Sequence, residues 1–131
     1  MLMTFSTNNR SRLRDGLCYV EFYQLTLPGA LVYILRRVLN NWEDEACVNI
    51  LTQLAKALPD NPKARIIIAE PRKRYPPHPL NVIIDAVMLN IGGKLRDETS
   101  LAPIVAAAGL KIVGIHYKEN DEGHVIECVK A

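Results

Sequence analysis

Two apolar runs constrain this chain more than anything else in it: ALVYILRRV (Ala30 to Val38) and ARIIIAE (Ala64 to Glu70). Both are short and apolar at neighbouring as well as alternate positions. Each therefore reads as a strand buried on both faces, the habit of strands inside parallel sheets. Between them Ala46, Cys47, Ile50, Leu51, Leu54, Ala55 and Leu58 recur at steps of three and four, behind the acidic start Glu43, Asp44 and Glu45. That is a helix with its carboxylates at the positive end of the dipole, and Pro59-Asp60-Asn61-Pro62 stops it. Strand, helix, strand is the repeating unit of an α/β fold.

The flanks agree. LCYVEFY (Leu17 to Tyr23) reads as a further strand, and residues 1 to 16, with Asn8-Asn9 and Asp15-Gly16, read as an irregular tail ahead of one domain over 17 to 131. After the second apolar run, PRKRYPPHP is a proline-rich loop, and PLNVIIDAVMLNI is a mostly apolar helix that Gly92-Gly93 ends. DETSLAPIVAAAGL reads as a capped helix, followed by LKIVGIHY and HVIECVK, two strands joined by a hairpin turn at 118 to 123. The whole predicts a mostly parallel sheet with a C-terminal antiparallel hairpin strand.

The net charge of +2, from 16 basic and 14 acidic residues in both halves, gives no footprint for nucleic acid or a membrane surface. No apolar run reaches the roughly 18 residues of a membrane-spanning helix. Cys18, Cys47 and Cys128 are an odd number without redox or metal spacing, which fits thiols in a reducing, cytoplasmic setting. His78, His116 and His124 share no ligand spacing, so no metal site is expected. Arg72, Lys73 and Arg74 are too few for an anion patch and read as a solvated loop.

Open α/β sheets bind ligands beyond the C-terminal ends of their strands. Here those positions are Asn40, Asn41 and Trp42 after the first run and Glu70 after the second. Glu70, leaving a buried strand, can serve as acid, base or orienting group, or can pair with Arg72 or Arg74. Asn40 and Asn41 carry hydrogen bonds but take no proton near neutrality. From the residues alone, one of them reads first as the helix N-cap. Trp42 reads as a packing anchor.

The series ALVYILRRVLNNWEDEACVNIL, ARIIIAE, DAVMLNIGGKLRDETSLAPIVAAAGLKIV and HVIECV resembles the C-terminal half of S-adenosylmethionine-dependent small-molecule O-methyltransferases, the caffeate-type family, with a fungal flavour. The resemblance covers residues 17 to 131 and implies a partial Rossmann-like class I methyltransferase sheet. It implies methyl transfer to small phenolic or hydroxylated acceptors. In that family Leu-His-Asp-Trp follows the first strand, and the histidine is the general base. Here Asn40 stands at the base position and Asn41 replaces the acid. Glu70 matches the glutamate that holds the base, and Leu95 falls where Gly-Gly-Lys-Glu-Arg has its glutamate. Glu21 or Phe22, depending on register, matches the adenine-side contact and Arg36 the basic cofactor contact. Met88, with Trp42, matches the substrate side.

The family's glycine-rich cofactor turn has no counterpart in these 131 residues. The resemblance therefore implies a scaffold that is truncated and inactive alone, with S-adenosylmethionine as its family cofactor. An apolar sheet edge left open by such a half would pair into a homo- or hetero-oligomer. A non-catalytic interaction or regulatory module, or one half of a split methyltransferase, is the alternative.

Overall fold

The computed structural model describes residues 29–73, 75–117 and 123–131. Four strands and three helices follow one another: β1 (Val32–Arg36), α1 (Asp44–Ala57), β2 (Arg65–Pro71), α2 (Pro79–Leu89), α3 (Glu98–Ala107), β3 (Leu110–His116) and β4 (Gly123–Lys130), with a 3-10 turn at Leu39–Asn41 between β1 and α1. The sheet order is β1-β2-β4-β3. β1 and β2 are parallel, and β4 runs antiparallel to both of its neighbours. Strands β1, β2 and β3 therefore share one direction, and the hairpin strand inserts between two of them, which makes the fold the expected α/β sheet.

One face of the sheet carries the core. Tyr33 and Leu35 from β1, Ile66 and Ile68 from β2, and Ile126 and Cys128 from β4 pack with Cys47, Ile50, Leu51 and Leu54 of α1 and Leu101, Ile104 and Val105 of α3. The other face shows Val32, Ile34 and Val125 exposed among the described residues. β1 accordingly alternates exposed and buried, where the sequence suggested a strand covered on both sides.

Local chemistry sets each boundary. β1 is shorter than the run Ala30 to Val38, because Arg37 adopts a left-handed φ of 52° and turns the chain into Leu39–Asn41. Non-glycine residues accept that conformation only where surrounding contacts impose it. α1 has Glu43 as its N-cap, so neither Asn40 nor Asn41 caps it. Asn41 instead donates from Nδ2 to the Arg37 carbonyl at 3.1 Å, steadying the turn itself. α2 starts at Pro79, whose missing N–H costs nothing at a first helical position, and His78 accepts from the Leu80 N–H at 3.3 Å. α3 carries a full capping box between Asp97 and Ser100.

Glu21, Phe22, Cys18, the strand expected at 17 to 23 and the tail at 1 to 16 lie outside the described residues. Among the described residues, no helix is long and apolar enough to cross a membrane.

Candidate functional site

The C-terminal tips of β1 and β2 meet through one carboxylate. Glu70, 8% exposed, accepts at Oε1 from the backbone N–H of Val38 at 2.8 Å and of Leu39 at 2.9 Å. The two N–H groups open the 3-10 turn and have no helical acceptor of their own. Glu70 thus pins the start of the turn that carries Asn40. Burial pushes its carboxyl above the ordinary range, opposed by the Val38, Leu39 and Asn40 amides and by the Arg96 charge. The pairing with Arg72 considered from the sequence is not what occupies it: Arg72 pairs with Glu98 at 3.0 Å and stacks over the Tyr117 ring at 3.8 Å, and Arg74 lies outside the described residues.

The other end of the turn is held from the segment after α2. Arg96, 5% exposed, donates from Nη1 to the Leu39 carbonyl at 2.8 Å and from Nη2 to the Trp42 carbonyl at 2.8 Å and Asp44 Oδ1 at 2.7 Å. Lys94 reaches Asp44 Oδ2 at 2.7 Å. Burial opposes ionisation of Asp44, but Lys94 and Arg96 outweigh it and hold the carboxyl below its ordinary value. The backbone of this segment also approaches closely: the Lys94 N–H donates to the Asn40 carbonyl at 3.0 Å. A Cβ on Gly93 would overlap the Asn40 carbonyl oxygen and stand 3.0 Å from the Asn41 Cα and carbonyl carbon. Glycine is required there for backbone to lie on backbone.

Asn40 itself is 7% exposed and donates from Nδ2 to Met88 Sδ at 3.5 Å. Four buried side-chain atoms have no hydrogen-bond partner among the described residues: Asn40 Oδ1, Glu70 Oε2, Asn81 Oδ1 and His124 Nδ1. Buried polar atoms are normally satisfied, so their concentration at one end of the sheet marks the place where partners are expected. Two cavities adjoin them. A small one of ≈ 10 Å³ is lined by Leu39, Asn40, Glu70, Arg96, Leu101 and His124 among others. A larger one of ≈ 320 Å³ has Arg36, Glu70, Asn81, His116, Tyr117 and His124 in its wall. Glu70 and His124 belong to both.

Of the residues singled out in the sequence, Asn40, Glu70 and Met88 are therefore brought together, and Arg36 faces the larger cavity. Leu95 lines neither cavity; it is buried, and its N–H donates to Asp85 Oδ1 at 3.1 Å. Trp42 packs against the core and lends its carbonyl to Arg96. Sequence reading missed Gly93, Arg96, Asn81 and His124. Only Gly93 carried a signal, since a second glycine after a helix-ending one asks for a close approach. His124 stands opposite Glu70 in the antiparallel register of β2 and β4, which no local pattern encodes.

In the walls of these two cavities Glu70 is the only acid, and its Oε1 is already bound to the turn. Arg36, the basic cofactor contact that the resemblance implies, stands in the wall of the larger cavity beside Arg37. Among the described residues no three His, Cys, Asp or Glu side chains stand close enough to hold a metal ion.

A sheet that places a buried glutamate, an asparagine turn and a cavity at its strand tips belongs to the ligand-binding α/β class. The particular family follows from direct comparison. The family model described as the O-methyltransferase domain matches residues 5–111, and the chain belongs to that family. It is 40% identical over 113 residues to methyltransferase cfoD of Aspergillus candidus, covering 86% of this chain and 28% of the relative. It also superposes on the mitomycin 7-O-methyltransferase MmcR with a TM-score of 0.77 at 25% identity, over 84% of this chain and 32% of that one. OxaC, solved with SAH and oxaline, matches with a TM-score of 0.74 at 27% identity, over 79% of this chain and 26% of that one. The chain thus spans about three-tenths of the length of the proteins it matches. Its fold is that of the S-adenosylmethionine-dependent O-methyltransferases.

Proposed function

We propose that this chain is the acceptor-side part of an S-adenosylmethionine-dependent O-methyltransferase for small phenolic or hydroxylated metabolites, and that it does not transfer methyl groups by itself. The observation that carries the reading is Asn40: a carboxamide stands in the frame built by Glu70, Gly93 and Arg96, at the position where the family has its histidine base. The family resemblance and the SAH held by OxaC support the cofactor class.

When bound, the cofactor supplies a methyl group on a sulfonium for attack by an acceptor oxygen. What this chain's residues do is narrower. Glu70 and Arg96 fix the main chain of the turn, and Asn40 offers hydrogen bonds to an acceptor without removing its proton. Met88, against the Asn40 amide, forms the apolar side of the acceptor site, with Trp42 beneath the turn. Arg36, with Glu21 or Phe22, contributes a partial cofactor contact. A positioned base contributes about 10²- to 10⁴-fold in rate, so Asn40 leaves the site far slower than a histidine would.

Calorimetric titration of S-adenosylmethionine into the purified chain tests whether the chain holds the cofactor by itself. No heat of binding is expected, and a micromolar affinity would overturn the reading.

A further inference from the structure

We propose that the small cavity between Asn40, Glu70 and His124 holds one water molecule, and that His124 is a positioning residue which, through this water and Glu70, fixes the orientation of the Asn40 carboxamide. The proposal rests on the reading of Asn40 as the acceptor-side group, but its chemistry is independent of methyl transfer.

Three of the four buried atoms without partners belong to residues lining this one cavity: Asn40 Oδ1, Glu70 Oε2 and His124 Nδ1. Its volume of ≈ 10 Å³ is at the size where about one water fits, and a water needs two to four polar partners to stay. With Glu70 ionised and one water touching all three atoms, the donor and acceptor types leave a single arrangement. A carboxylate oxygen and an amide oxygen only accept, so the water gives both of its protons to Glu70 Oε2 and Asn40 Oδ1. It must accept from the third atom, which requires His124 to carry its proton on Nδ1. With Oδ1 held by the water, the Asn40 NH2 is committed to the Met88 side, where it donates to Sδ at 3.5 Å.

Other groups facing His124 do not supply the missing partner. Glu98 Oε1 lies 4.0 Å from Nδ1 and is taken by Arg72 at 3.0 Å. Asp97 is engaged with Ser100 and Thr99. Arg96 and Lys94, which also line the cavity, are bound to Asp44. Across β2 and β4, Glu70 and His124 are direct register partners, so the pair is set by the sheet and not by a flexible loop. Burial pulls the His124 pKa down, with Glu98 and Asp97 opposing and Arg72 assisting, which favours the neutral ring the arrangement needs.

The test is long-range proton–nitrogen NMR on the full 15N-labelled chain at neutral pH. His124 is expected as the Nδ1-protonated tautomer, with a cross-relaxation peak from its Nδ1–H to a bound water. Glu70→Gln should shift both that signal and the Asn40 side-chain amide pair, while Glu98→Gln leaves the Asn40 pair unmoved. His124→Phe should shift the Asn40 pair; Glu98→Gln, a milder change, keeps the comparison valid if His124→Phe does not fold. An Nε2-protonated His124, the absence of a water peak, or an Asn40 response to Glu98→Gln instead of Glu70→Gln would overturn the proposal.

Discussion

Asn40 lies between two walls of opposite construction. On one side the turn Leu39–Asn41 is fixed by side chains aimed at its main chain: Glu70 at its first N–H groups, Arg96 at the Leu39 and Trp42 carbonyls, and Gly93 pressed beneath Asn40. On the other side stands α2, whose only buried residue is Asn81, with Val82, Ile83, Val87 and Leu89 between 52% and 72% exposed among the described residues. The difference separates what positions the Asn40 side chain from what shapes its surroundings. Polar contacts to backbone determine where Asn40 stands, and the apolar helix offers surface without fixing it.

Substitutions should fall unequally on the two walls. Arg96→Leu strips donors from the Leu39 and Trp42 carbonyls and frees Asp44; urea unfolding should show a loss of about 3 kcal/mol, the largest effect expected here. Gly93→Ala forces the Asn40 backbone away and should cost about 2 kcal/mol, as overpacking of a fitted site does. It should also move the Asn40 amide resonances. An equal loss from α2 would break the comparison.

Asp97 tests a boundary outside both walls. Replacing this N-cap with alanine should cost about 1 kcal/mol at neutral pH. Hydrogen bonds from Ser100 and Thr99 hold its carboxyl at about 2 against an ordinary 3.8. A depressed carboxylate pKa adds stability that is present above the ordinary value and is lost as pH falls through the depressed one. Thermal unfolding of the wild type and the alanine variant should therefore differ above about pH 4 and converge near pH 2. On α2, Ile83→Ser or Leu89→Ser should change stability by less than about 0.5 kcal/mol, the ordinary size for a surface position. A loss of several times that would show α2 to be as fixed as the turn.

The sequence made two strands legible through the apolar composition of Ala30 to Val38 and Ala64 to Glu70, although β1 is covered on one face and not on both. The helices were legible from period and end signals, and the structure adds the Asp97 and Ser100 capping box of α3. What stayed hidden depended on register and close approach. The Asn40–Asn41 pair suggested a cap, yet the chain inserts a 3-10 turn and starts α1 at Asp44, because Glu70 from a distant strand captures the Val38 and Leu39 N–H groups first. Arg96 carries no local signal in the sequence, and it joins the site because the segment after α2 lies against the turn. His124 became part of the site only through its cross-strand position opposite Glu70, and the exposure of α2 could not follow from its apolar composition.

The central claim is that the site has a frame for a base and no base in it. The most direct measurement uses a chimaera in which this chain replaces the aligned 113-residue segment of the Aspergillus candidus methyltransferase, compared with the same chimaera carrying Asn40→His, on the relative's own acceptor. The imidazole is expected to raise kcat by about 10²- to 10⁴-fold, with a pH profile that gains an ionisation near neutrality. Equal rates and identical pH profiles for the two chimaeras would contradict the account.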